Sequence, residues 1–80
     1  KHESAWCNLG YVLLKQGQNQ SAVECYDKAL QLNPQHIQSL LNKASLLILN
    51  GDFNKGKLYL KRILDIEPNN SKAIYLLSTL

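Results

Sequence analysis

Two histidines, two cysteines and a set of clustered cations are the side chains in this sequence best suited to act on another molecule. Zinc-type chemistry needs three or four ligands at about 2.0–2.3 Å from one ion, and sequences announce it by closely spaced His and Cys. Here His2 and His36 lie 34 residues apart, and neither Cys7 nor Cys25 sits in a Cys-x-x-Cys. No Ser-His-Asp or Cys-His arrangement for nucleophilic catalysis is apparent. No glycine-rich phosphate loop occurs either, and Gly51 and Gly56 are read as turn and packing residues. Asp65 and Glu67 read as solvated carboxylates at the end of a helix. Two cysteines are too few for a disulfide framework, and they are expected as buried thiols in a reducing, cytoplasmic compartment. The expectation is a chain with no catalytic residues, no metal and no cofactor.

The cations are the second candidate. Lys55, Lys57, Lys61 and Arg62 crowd one short stretch, while the whole chain of 80 residues carries a net charge of only +3. Such a stretch can meet phosphate, RNA or an acidic protein surface. Tyr59 is the lone aromatic beside it, and single-strand binders use interleaved rings, so nucleic acid is disfavoured and a solvated outer face is expected. A membrane partner is not expected, because no apolar run reaches the ~18–20 residues that span a bilayer. Two sequons, Asn19-Gln20-Ser21 and Asn69-Asn70-Ser71, fall where helices are expected to start and are read as helix-start residues. The sequence holds no Met and opens on Lys1, which is read as a segment of a longer protein.

The elements that would position these residues come from a repeat. Displaced by 34 residues, the sequence aligns with itself. Gly17 falls on Gly51, Pro34 on Pro68, Leu13 on Leu47 and Leu30 on Leu64; His2 falls on His36. Small residues also coincide: Gly10 with Ala44 and Ser78, Ala22 with Gly56. Each period reads as two helices. The first is expected from about Glu3 to Gln16, ended by Gly17, a residue that tolerates positive φ. The second starts near Asn19 or Gln20, and its apolar positions Ala22, Tyr26, Ala29 and Leu30 recur at three- and four-residue spacing. Pro34 closes it, because the residue before a proline is pushed out of the α region. Ser71 is the expected N-cap of the last helix. The short turns force antiparallel pairs. The fold expected is all-α, with about five helices in stacked helix-turn-helix pairs. Its units are 1–34, 35–70 with a preceding loop, and 71–80 as the first helix of a truncated third.

Trp6, Leu9, Gly10, Leu13, Ala22, Tyr26 and Pro34 hold the places of a known 34-residue signature: Trp-x2-Leu-Gly-x2-Tyr, then Ala-x3-Phe, then Pro. In these residues the chain resembles the tetratricopeptide repeat family. The second repeat keeps Ala44, Leu47, Leu60 and Pro68 but has Leu40 for Trp, Lys43 for Leu and Gly56 for Ala. The resemblance implies an α-solenoid, a right-handed superhelix that binds a protein or peptide in its concave groove. The alternative it leaves is an accessory, substrate-selecting segment of a multidomain enzyme.

The resemblance also places inward-looking positions. They are Ser4, Cys7, Asn8, Tyr11, Leu14 and Lys15 in the first repeat, then Gln38, Leu41, Asn42, Ser45, Ile48 and Leu49 in the second. In the third they are Lys72, Tyr75, Leu76 and Thr79. The partner-binding set expected among them is Asn8, Tyr11, Lys15, Asn42, Ser45, Leu49, Lys72 and Tyr75. Family members that grip the C-terminal peptides of the Hsp70 and Hsp90 chaperones carry a clamp of Lys, Asn and Arg. The matching positions here are Cys7, Tyr11, Asn42, Lys72 and Leu76, of which only Asn42 and Lys72 keep the clamp's chemistry, so that peptide is not the expected partner. Residues 73–80 are apolar nearly all round, so self-association through that helix is a further expectation.

Overall fold

A computed structural model describes residues 2–80; Lys1, which opens the first expected unit, lies outside the described residues. Among the described residues five helices follow one another: α1 (His2–Lys15), α2 (Asn19–Leu32), α3 (Ile37–Leu49), α4 (Phe53–Ile66) and α5 (Ser71–Ser78). Among the described residues there is no strand. The all-α expectation holds, and the helix bounds fall within a residue or two of those read from periodicity.

Both inner turns are built the same way. Gly17 takes φ +80° and Gly51 φ +89°, in the left-handed region where a Cβ is strained. Gln18 N–H then donates to Leu13 O at 2.9 Å and Gly17 N–H to Leu14 O at 3.0 Å. In the second repeat Asp52 N–H donates to Leu47 O at 2.8 Å and Gly51 N–H to Ile48 O at 3.1 Å. This paired pattern is the Schellman motif, which occupies the last free carbonyls of a helix and reverses the chain.

The outer turns also match. Asn33 and Glu67 leave the helical region before Pro34 and Pro68. His36 N–H donates to Asn33 O and Asn70 N–H to Glu67 O, each at 3.0 Å, so proline sits at the second position of a tight turn. The next helix is capped from the last turn residue. Asn70 Oδ1 accepts from Ala73 N–H at 2.9 Å, so Asn70, not Ser71, is the N-cap of α5. The serine enters one residue later, as the first helical residue. At the equivalent place His36 caps α3, and its Nδ1 lies 2.7 Å from Ser39 Oγ. His36 is therefore a half-buried structural cap rather than a loose loop residue.

With turns this short, α1 lies antiparallel along α2, and α3 along α4; α3 then packs on α2, and α5 on α4. Two core clusters form among the described residues, the first within the α1/α2 pair and the second between α3, α4 and α5. The first holds Cys7, Ala22, Tyr26 and Ala29, with Trp6, Leu13 and Leu14 against them. The second holds Leu40, Leu41, Ala44, Leu60, Ile63 and Ala73. Burying a side chain such as Leu40, Leu60 or Ile63 contributes about 2 kcal/mol each. Ile74 and Tyr75 on α5 stay largely exposed. Among the described residues, no helix is long and apolar enough to cross a membrane.

Candidate partner-binding groove

The first helices of successive units, α1, α3 and α5, line one side of the molecule and enclose a groove of about 750 Å3. Helical spacing sets what each contributes, since residues three and four apart share a face. From α1 come Cys7, Asn8 and Tyr11; from α3 come Gln38, Leu41, Asn42 and Ser45. Ser71, Lys72, Tyr75 and Leu76 complete it from α5. Cys7 and Leu41 are buried and make an apolar floor, while Asn8, Tyr11, Lys72 and Tyr75 are exposed around it.

Asn42 sits at the middle of this surface. Its Oδ1 accepts from Gln38 Nε2 at 3.0 Å, and its Nδ2 donates to Cys7 Sγ at 3.6 Å. Sulfur is a weak acceptor, so that amide donor is open to exchange for a better partner. Beneath lies Tyr26, wholly buried, its hydroxyl short of a hydrogen bond of full geometry and only weakly served by the Asn42 side chain. Burial, with Cys7 nearby, pushes its pKa up to about 12. The two thiols are free and buried, and burial pushes that of Cys25 up, which makes it an unreactive group.

The structure brings Asn8, Tyr11, Asn42, Ser45, Lys72 and Tyr75 together in one groove. It leaves Lys15 and Leu49 out. Both stand at the very ends of α1 and α3, past the residues that line the groove. Lys15 Nζ instead lies 5.2 Å from the centre of the Tyr11 ring, and Leu49 is 78% exposed at the end of α3. Leu14 and Ile48, also expected to look inward, belong to the two cores. Ser4 and Thr79 are not among the lining residues. Ser71, read only as a cap, was missed as a lining residue; its place beside Lys72 at the start of α5 was the available signal.

All five positions that match the chaperone-peptide clamp line the groove. Only Asn42 and Lys72 keep the clamp's chemistry, and Lys72 is the one cation among the lining residues. The basic stretch is divided. Lys55 and Arg62, seven residues apart, share one face of α4 and line a second cleft, whereas Lys57 and Lys61 do not line it. Among the described residues, no cluster of three His, Cys, Asp or Glu side chains could hold a metal ion.

Comparison with known proteins agrees with this architecture. The tetratricopeptide repeat profile matches residues 4–36, and a second tetratricopeptide repeat profile matches residues 25–57. The chain belongs to the tetratricopeptide repeat family. The first match covers α1, α2 and the outer turn; the second runs from within α2 through α3 into α4. The chain is 34% identical over 72 residues to the general transcriptional corepressor trfA of Dictyostelium discoideum, covering 90% of this chain and 5% of that protein. It is 35% identical over 72 residues to human cilia- and flagella-associated protein 70, covering 90% of this chain and 6% of that protein. With the bovine BBSome complex member BBS4 it shares 30% over 74 residues, 92% of this chain and 14% of the relative. The chain thus spans only a small part of the length of these relatives. Membership of this repeat family makes protein–protein interaction its general role.

Proposed function

We propose that this chain is a scaffold segment that holds a peptide or partner segment in the groove between α1, α3 and α5. The observation that carries the reading is the make-up of that groove: an apolar floor of Cys7 and Leu41 beneath the amides of Asn8 and Asn42 and the exposed rings of Tyr11 and Tyr75. Apolar side chains of a partner find the floor and rings, and its backbone finds the amides. The tyrosines supply large contact area at small cost in conformational entropy. Because the groove is built on packed helices rather than loops, it is preorganised, which lowers the ordering cost of capturing a flexible segment. The units are 1–34, 35–70 and 71–80, and only their stacking creates the groove. Free thiols at Cys7 and Cys25 suit the reducing cytoplasm.

The test is capture of cellular proteins by the chain, compared with a Tyr11→Ala/Asn42→Ala variant of unchanged helicity. Loss of specific partners from the variant is the expected result. Equal capture of the same proteins by both would place the binding surface elsewhere.

A further inference from the structure

The opposite side of the molecule carries a second cleft, of about 450 Å3, where α2, α3 and α4 meet. Val23 and Leu47 are its half-buried apolar walls, and Leu58, 66% exposed, stands at its edge. Its polar lining is cationic: Lys43, Lys55 and Arg62. Asp27 neutralises one of them, through an ion pair with Lys43. Two cations remain over. Lys55 and Arg62 flank Leu58 along one face of α4, and seven residues of helix set them about 10 Å apart.

We infer that this cleft is a second docking site, which takes an acidic protein segment carrying one apolar anchor between carboxylates about 10 Å apart. Charge complementarity names the partner's sign, and the leucine and valine walls require an apolar side chain from it. A nucleic acid strand fits less well. Tyr59 is the ring in the cleft, and Lys43 Nζ and Arg62 Cζ already lie over it, at 5.1 and 5.4 Å from its centre. A base would have to displace a cation in order to stack there. The ion pair with Asp27 and the contact with Tyr59 hold Lys43 in place, so the base of the cleft is set before any partner arrives. This site shares no lining residue with the groove between α1, α3 and α5, and stands independently of it.

The probe is a fluorescein-labelled, amidated peptide, Glu-Glu-Leu-Ser-Glu-Asp, titrated with the chain and followed by polarisation. Two controls accompany it: the same peptide with lysine at each acidic position, and a single-stranded RNA of equal length. Saturable binding of the acidic peptide alone is expected, weakening about tenfold in a Lys55→Glu/Arg62→Glu variant. Amide shifts in NMR should gather at Val23, Leu47, Leu58 and Arg62. A Tyr75→Ala variant should bind the peptide as the parent does, which separates this cleft from the groove opposite. Both altered cations are exposed, and an unchanged circular dichroism spectrum and melting point confirm that the double variant folds. The inference is overturned if the acidic peptide does not bind, if the lysine peptide binds equally, or if the double variant keeps full affinity. RNA binding that exceeds the peptide's and falls with the same variant would also overturn it. So would an Arg62-dependent dimer in sedimentation, which would assign the cleft to a second copy of the chain.

Discussion

The two complete repeats solve one packing problem in opposite ways. Both must bring a helix pair close enough for side chains of one helix to reach the backbone of the other. In the first repeat the space is on the first helix, where Gly10 faces Tyr26 and the Ala22 carbonyl. A Cβ on Gly10 would lie 2.7 Å from Tyr26 Cε1 and 3.2 Å from Ala22 O. In the second repeat the pair is exchanged: Ala44 stands at the place of Gly10 and Gly56 at the place of Ala22. A Cβ on Gly56 would lie 2.7 Å from Ile48 Cγ1 and 3.4 Å from Ala44 O. The large group therefore comes from the second helix in one repeat, as a tyrosine ring, and from the first helix in the other, as an isoleucine. The repeat conserves a close approach, not a residue at a position.

That comparison yields its strongest test in the two glycines. Tyr26 is wholly buried and its ring has nowhere to go, whereas Ile48 is half-buried and can turn aside. Gly10→Ala is expected to lose about 2 kcal/mol, overpacking outweighing the gain in helix propensity. Gly56→Ala should stay within about 1 kcal/mol of the parent, because Ala is favoured over Gly in a helix by about that amount. Urea midpoints at constant slope read both. Adding Tyr26→Leu to Gly10→Ala should remove most of the loss; a cost that persists unchanged would mean that the ring is not what Gly10 accommodates.

A smaller effect comes from the same tyrosine. Its buried hydroxyl lacks a hydrogen bond of full geometry, the Asn42 side chain serving it only weakly, so Tyr26→Phe should leave stability unchanged or raise it by up to about 1 kcal/mol. Alkali magnifies the difference. Folding raises this phenol from 10.0 to about 12, so its neutral form is the one the fold accepts. Stability linked to that form is complete below pH 10 and is lost as pH rises from there to about 12, at up to ~1.4 kcal/mol per unit. The phenylalanine variant should lack this component of the alkaline loss, and parallel unfolding curves at pH 9 and 11 measure it.

Much of the fold was legible because its signals are local. Gly17 and Gly51 mark turns that need positive φ, and Pro34 and Pro68 mark turns that need an extended residue before them. The exchange of Gly10/Ala22 for Ala44/Gly56 was visible as paired small residues, but not which large group fills each space, since that depends on how the paired helices face each other. The candidate groove was legible in part. Asn8, Tyr11, Asn42, Ser45, Lys72 and Tyr75 come together, and Lys15 and Leu49, the last residues of α1 and α3, fall outside. The division of the basic stretch, Lys55 and Arg62 with Lys43 but without Lys57 and Lys61, required the stacking of α4 on its neighbours.

Both surfaces depend on helix pairs held at the distance these two small-residue contacts allow, and proton NMR reads that distance directly. Cross-relaxation should connect the Gly10 Hα protons with the Tyr26 ring and the Gly56 Hα protons with the Ile48 methyl groups, with the Gly10 signals displaced by the ring current. If neither pair is connected in the folded chain, α1 does not lie against α2, nor α3 against α4, in the way described, and the groove and the cleft lose their basis together.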